Sequence, residues 1–251
     1  MMKLKHQIRK TISFAYSIGH LRPLRPGGRV LMYHSIEKSV DMDPTGLFTV
    51  PLKYFKDHLN EIDQNEKWNV QHFSDCTTEE KGLLSITFDD GYKNNLTLAA
   101  PLLIEKNLPF TVFISTNFVK EKHPDFLTPS ELKELASYPG VTIGAHGAKH
   151  CSLANLPEEK MVQEMEGSKK YLEDLLGKEV LTMSYPFGHT NKKVMEIGKL
   201  AGYKRIGTSR FDTNRPSTNP LLLNRCEVNK WDNLKSFRSK LLGHWDWYRY
   251  R

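Results

Sequence analysis

Short apolar runs, rich in β-branched and aromatic residues, alternate along the chain with stretches of helical period. Val30–Tyr33, Leu83–Phe88, Phe110–Ile114, Val141–Ala145, Val180–Tyr185 and Lys204–Gly207 predict strands, and Leu222–Val228 predicts a weaker one. Between them lie amphipathic segments. Pro51–Ile62 sets Phe55, Leu59 and Ile62 on one stripe, and Asn95–Asn107 does the same with Leu96, Ala99, Leu103 and Ile104. Pro129–Ala136 enters on a proline, a good first helical residue. Pro157–Leu176 opens on two glutamates, carries Met161, Met165, Leu172 and Leu176, and stops at Gly177. Lys192–Ala201 ends at Gly202, and Asn233–Trp247 closes the chain. Hairpin signals are scarce. Strands separated by helices pair in parallel, because a parallel pair needs a crossover. Strands that are apolar almost throughout are covered on both faces. The pattern therefore predicts an α/β protein, a barrel of (β/α) units, with an open doubly wound sheet as the alternative. Residues 27–251 read as one domain behind a basic N-terminal extension, residues 1–26.

Composition narrows the class. The 251 residues are 39% hydrophobic and 26% charged, which excludes a disordered chain, a collagen and a multi-span membrane protein. The +7 charge suits an anionic partner or simple solubility and selects neither. No helix-turn-helix, zinc-finger or aromatic-basic sheet pattern appears, so nucleic acid is not expected. Cys76, Cys151 and Cys226 stand far apart, which argues against a disulfide framework and for a reducing compartment. The segment Thr11–Leu21 is too polar and too short for the apolar part of a signal peptide, so a cytoplasmic location is expected. Leu4, Ile8, Ile12, Phe14 and Ala15 fall near one side of a helix whose other side is basic. Peripheral contact with the inner membrane face is one reading of this start, and an ordinary packed or disordered extension is the preferred one.

In α/β barrels the chemistry sits where the strands end. Here those ends carry Tyr33-His34, Thr87-Phe88-Asp89-Asp90-Gly91-Tyr92, His146-Gly147-Ala148-Lys149-His150, Tyr185-Pro186-Phe187-Gly188 and, on the last strand, Arg225. Adjacent carboxylates repel unless a cation or a proton separates them, although Asp-Asp-Gly is also an ordinary turn. With Asp89 and Asp90 at a strand that breaks at Gly91, both can turn to one site. His146 and His150, four apart, predict two ligands on one face of a helical turn, and two His with one Asp leave a coordination position open for water. Gly147 replaces the glutamate of the H-E-x-x-H motif, so a base must come from elsewhere, with Asp89 the obvious donor. Pro186 and Gly188 make a rigid turn from which the Phe187 N–H would project toward a developing oxyanion, or which is only a turn.

Thr87–Gly91, His146-x-x-x-His150 and Tyr185–Gly188, in this order and spacing, resemble the polysaccharide deacetylases of carbohydrate esterase family 4. The resemblance runs from Val30 to Val228, with Ile86–Tyr92 its most specific stretch. It implies a distorted (β/α) barrel of seven or eight units and a divalent metal, usually zinc, on Asp90, His146 and His150. It implies that Asp89 is the general base toward a water at the ion, and that the Phe187 N–H supports the oxyanion formed from a sugar acetamide. The implied activity is removal of an N-acetyl group from an amino sugar of a glycan or glycan precursor; the basic amphipathic start and the expected cytoplasmic location suit a bacterial, lipid-linked precursor. A metal-dependent amide hydrolase on a non-sugar substrate and a non-catalytic glycan-binding barrel are the alternatives. Two positions depart from the family. Ser184 stands where many members have an arginine that orients the catalytic Asp. Arg225 resembles the arginine of branches with the Tyr-Pro-Phe-Gly form and is expected to pair with Asp89, with Arg210 and Arg215 as rivals. Leu242-Gly243-His244 matches the letters of the family's late Leu-x-His but falls in a terminal helix. His34, at the correct end of the barrel, is the preferred general acid, and the choice stays open at this level.

Overall fold

The computed structural model describes residues 2–19, 24–39 and 42–250, so residues 1 and 20–23 of the expected extension lie outside it. The chain begins with α1 (Met2–Gly19) and enters the barrel at β1 (Arg29–Tyr33). There follow β2 (Ser35–Ile36), β3 (Thr49–Val50), α2 (Leu52–Asp63), β4 (Asn69–Val70), β5 (Leu83–Phe88), α3 (Ala100–Glu105), β6 (Phe110–Ile114), α4 (Thr116–Lys120), α5 (Pro129–Ser137) and β7 (Val141–Ala145). The second half is α6 (Glu158–Leu176), β8 (Thr182–Ser184), α7 (Lys192–Leu200), β9 (Arg205–Gly207), β10 (Cys226–Glu227) and α8 (Leu234–Leu241).

The main sheet runs β10-β1-β5-β6-β7-β8-β9, all pairs parallel, with β4 added beside β5. The curl closes through an irregular seam. Leu223 N donates to Ile206 O, and Thr208 N donates to Leu223 O. The predicted strand Leu222–Val228 is therefore divided: its start seals against β9, and only Cys226–Glu227 pairs with β1. This seam is the distortion of the barrel.

Alternation along the strands sorts the side chains. Leu31, Tyr33, Leu84, Ile86, Phe88, Val112 and Ile114 face the helices and join Phe55, Leu59, Leu103, Leu132, Met165 and Leu172 in the main core. The opposite parity points into the barrel. There Val30, Phe113 and Leu223 pack beside Ser85, Thr87 and Thr111, all buried. This small, partly polar interior lies under the site.

Helix boundaries follow local chemistry. Thr128 caps α5 in a reciprocal box with Glu131, and Gly177 ends α6 at a left-handed φ of 64°. Two predicted helices change. Asn95–Asn107 splits into a π-turn over Asn95–Ala99 and α3. Asn233–Trp247 stops as α8 at Leu241, because Gly243 takes a φ of 80° and turns the chain beneath the barrel. The short pairs β2–β3 and β4–β5 were not predicted; a two-residue strand is too short to show a period.

Candidate active site

Asp89 continues the parity of Ser85 and Thr87 and so points into the barrel. Asp90 would point outward, but its φ of 76° rotates it back, and Gly91 follows at φ 83°. A left-handed aspartate is uncommon outside turns and costs backbone energy, so the surrounding structure has to hold it. The result is two adjacent, buried carboxylates on one side of the chain, 3% and 4% exposed.

β7 delivers the histidines. His146 and His150 are not on the expected helical turn but on a loop after the strand, with Gly147 at φ 72° and His150 at φ 52°. Glu164 of α6 shapes that loop, its Oε2 accepting from the N–H groups of Ala148 and Lys149 at 2.7 and 2.9 Å. His146 Nδ1 lies 2.9 Å from the Ser184 carbonyl, so this nitrogen donates and Nε2 keeps its lone pair. His146 Nε2 stands 3.3 Å and His150 Nε2 3.2 Å from Asp90 Oδ1. Asp90, His146 and His150 thus bring three ligand-type atoms within 4.8 Å of one another. Asp90 Oδ1 is buried without a hydrogen-bond partner, and that uncompensated oxygen between two imidazole nitrogens fits a divalent cation.

Asp89 lies beside this cluster, its Oδ2 3.9 Å from His146 Nε2. Arg225 grips it with two bonds, Nη1 to Oδ1 at 2.6 Å and Nη2 to Oδ2 at 2.8 Å. Neither Arg210 nor Arg215 takes this place. The guanidinium crosses the barrel interior over the Phe113 ring and donates from Nε to Thr208 O at 2.8 Å. Burial is the largest influence and favours the protonated acid at Asp89, but the charge and hydrogen bonds of Arg225, together with His146 and His34, outweigh it and lower the pKa. Ser184, in the position of the absent arginine, spans both groups: its Oγ is 3.3 Å from Asp89 Oδ1 and 2.5 Å from His146 Nδ1.

Phe187 sits at φ 60° in the Pro186–Gly188 turn, 56% exposed as a residue and with its ring 4.7 Å from the His150 ring. His34 follows β1 at the same end, packed on Phe48, with its Nδ1 buried and unbonded. His244 lies at the far end, near Ser239 on the turn after α8, and does not approach the carboxylates. Sequence reasoning missed four contributors: Glu164, the bridging Ser184, Asn95, whose side chain donates to His34 O at 2.8 Å, and Tyr92, which lies beside Asp90. Ser184 and Tyr92 flank recognisable motifs; Glu164 gave no signal among the charges of an amphipathic helix.

The polysaccharide deacetylase family model matches residues 77–206, half of the chain, including the Asp-Asp, His-His and Pro-Phe-Gly segments. The chain belongs to the polysaccharide deacetylase family. YxkH of Bacillus subtilis, named for the same family, is 30% identical over 182 residues, 70% of this chain and 62% of that protein. The peptidoglycan-N-acetylglucosamine deacetylase of Bacillus cereus is 30% identical over 138 residues, 55% of this chain and 62% of that protein. The chain thus spans less than two thirds of the length of these relatives. The deacetylase PplD of Streptococcus pyogenes shares the fold, with a TM-score of 0.76 over 88% of this chain and 99% of that one at 21% identity. Membership of this family implies a divalent metal, and the Asp90, His146 and His150 cluster fits one.

Proposed function

We propose that this polysaccharide deacetylase family member is a metal-dependent N-deacetylase. It would remove acetate from an N-acetylated amino sugar in a glycan or lipid-linked glycan precursor. The observation that carries the reading is a pair of neighbouring carboxylates given opposite surroundings, Asp90 facing two imidazoles and Asp89 clamped by Arg225. Asp90, His146 and His150 would hold the cation, zinc by the preference of a two-imidazole, one-carboxylate set, which supplies an activated water and polarises the acetyl carbonyl.

The chain's own groups account for the protons. Asp89, kept ionised by Arg225 and with Oδ2 toward the cluster, accepts a proton from the attacking water. Both Asp89 oxygens are engaged by Arg225, yet a carboxylate has about four lone-pair positions, so Oδ2 retains capacity. The Phe187 N–H, on its rigid left-handed turn, donates to the oxygen that gains charge as the acyl carbon becomes tetrahedral. His34 delivers a proton to the sugar nitrogen as the C–N bond breaks, leaving acetate and a free amine. The exposed Phe187 ring offers an apolar face for a pyranose beside His150.

The test is acetate release from N-acetylglucosamine oligomers, measured beside the metal content of the purified protein. Asp89→Asn should retain metal and lose about three orders of magnitude in kcat, the scale of a general base. Asp90→Ala should lose the metal as well. Full activity in Asp90→Ala with unchanged metal content overturns the reading, and turnover only of non-sugar amides would move it to another hydrolase class.

A further inference from the structure

Helix α1 is joined to the barrel by its polar side. Ser13, 2% exposed, accepts from Trp247 Nε1 at 2.8 Å, and the Arg9 guanidinium lies 4.9 Å from the centre of the Tyr248 ring. The apolar side is thereby turned outward. Leu4, Ile8 and Ile12, spaced by four and so on one stripe, are 66%, 52% and 42% exposed. A helix that presents polar groups to its own protein and isoleucines to the outside is inverted relative to a soluble surface helix. Single exposed apolar residues are ordinary; an aligned row of them marks a contact surface.

Charge indicates what covers it. The α1 sequence holds Lys3, Lys5, Arg9 and Lys10 and no acidic residue. A groove of about 900 Å³ runs between α1 and α8. Phe14, Leu234, Leu242 and Trp245 give it apolar walls, Lys10 and Lys235 stand on it, and no carboxylate lines it. Leu242 is itself 45% exposed. Arg238 also lines the groove but is paired with Glu61, so Lys10 and Lys235 set the charge of its border, and an apolar surface with such a border matches an amphiphile with an anionic head. A second copy of the chain fits poorly, because a two-fold contact through this face would set its cations against themselves. Insertion across a bilayer is excluded for α1, since no described helix is long and apolar enough to cross a membrane.

We propose that the α1–α8 face docks on the surface of an anionic phospholipid bilayer, with Leu4, Ile8 and Ile12 in the interface and the basic residues among the headgroups. The fold then sets the orientation. Trp247 and Tyr248 follow Asp246, which grips Arg29 at the start of β1, whereas the catalytic residues follow the strand ends. A bilayer touching α1 lies at the opposite end of the barrel from the catalytic mouth, which opens away from the surface. Docking of this kind is independent of the reaction at the other end.

Sedimentation with vesicles tests it. The full chain should pellet with phosphatidylglycerol–phosphatidylcholine vesicles, bind pure phosphatidylcholine vesicles at least about tenfold more weakly, and be released by added salt. Ile8→Glu with Ile12→Glu should lower partitioning by roughly tenfold or more while far-UV circular dichroism, thermal midpoint and acetate release from soluble oligomers stay unchanged, because both side chains are exposed. Lys5→Glu with Lys10→Glu should weaken binding to the anionic vesicles alone. Wild-type protein left in the supernatant with anionic vesicles overturns the proposal, as does undiminished binding of the isoleucine double variant. A wild-type dimer that the same double variant converts to monomer, without vesicle binding, overturns it in favour of self-association.

Discussion

Arg225 reaches Asp89 only because residue 207 has no side chain. A methyl group on Gly207 would lie 2.7 Å from Arg225 Nε and 2.8 Å from its Cδ, both parts of a fully buried side chain with nowhere to move. Gly207→Ala should therefore displace the guanidinium from Asp89 and lower kcat by about two orders of magnitude, the effect of roughly an ångström of misplacement, while metal content is retained. Arg225→Met removes the partner outright and leaves a buried carboxylate uncompensated. It should destabilise the fold by about 3–5 kcal/mol, read as a lower urea midpoint, besides abolishing turnover. Ser184→Ala is the milder change. It removes one neutral hydrogen bond to Asp89 and the hydroxyl beside His146, and kinetics should register a loss smaller than that of Gly207→Ala.

At the scale of elements, α2, β1 and α8 are joined by a buried polar chain. Tyr33 Oη lies 3.1 Å from His58 Nδ1, and His58 Nε2 lies 2.6 Å from Asp232 O, so Nε2 donates to the carbonyl and Nδ1 accepts from the phenol. His58 also stacks on Phe237 of α8 at 3.9 Å. Burial pushes the imidazole down from 6.5 to about 4, so the folded protein holds it neutral. Between those values the unfolded chain binds the proton and the folded chain does not, so stability is complete above about pH 6.5 and falls as the pH drops toward 4. The loss from this residue alone should approach about 3 kcal/mol, at about 1.4 kcal/mol for each pH unit that separates the folded and unfolded values. Urea titrations at pH 7 and pH 4.5 check it: His58→Gln should show a smaller difference between the two. At the other end of α8, Gly243 holds φ 80°, and an added Cβ would meet Asp246 Oδ2 at 2.8 Å and Arg29 Nη2 at 2.9 Å. Gly243→Ala should cost about 1–3 kcal/mol in thermal stability through strain and this clash.

Across the whole molecule the two ends of the barrel have different tasks. The lower end is closed by the buried ion pair of Arg29 with Asp246 at 2.8 Å and by half-buried pairs of Arg25 and Arg249 with Asp212, which tie the C-terminal segment under the first strand. The upper end gathers groups that are individually costly to bury, and only a ligand compensates Asp90 Oδ1. Metal removal should therefore be a stability measurement as well as an activity one. A chelator should lower the thermal midpoint by several degrees, since a cation at a hundredfold its dissociation constant contributes about 2.7 kcal/mol. Asp90→Ala should abolish the chelator-dependent part of that shift.

Although β2, β3, β4 and α4 are too short to show a period, the pattern of the chain by itself determined the order of the main strands and of the longer helices between them, their parallel pairing and the end of the barrel that carries chemistry. Those features depend on side-chain period, helix stops and the need for crossovers, all of which are local. The motif residues at 89–90, 146–150 and 185–188 were legible for the same reason: each is a short run at a strand end. Tertiary structure alone decided which arginine meets Asp89, because Arg225, Arg210 and Arg215 are alike until the seam between β9 and the last strand fixes their directions. It decided that the His146 loop is shaped by Glu164 from a distant helix and that His244 lies far from the site, beyond a turn set by Gly243. It also decided which side of α1 faces out, since the amphipathic period gives a helix two faces and only its partner, here Trp247 and Tyr248, selects the one it covers.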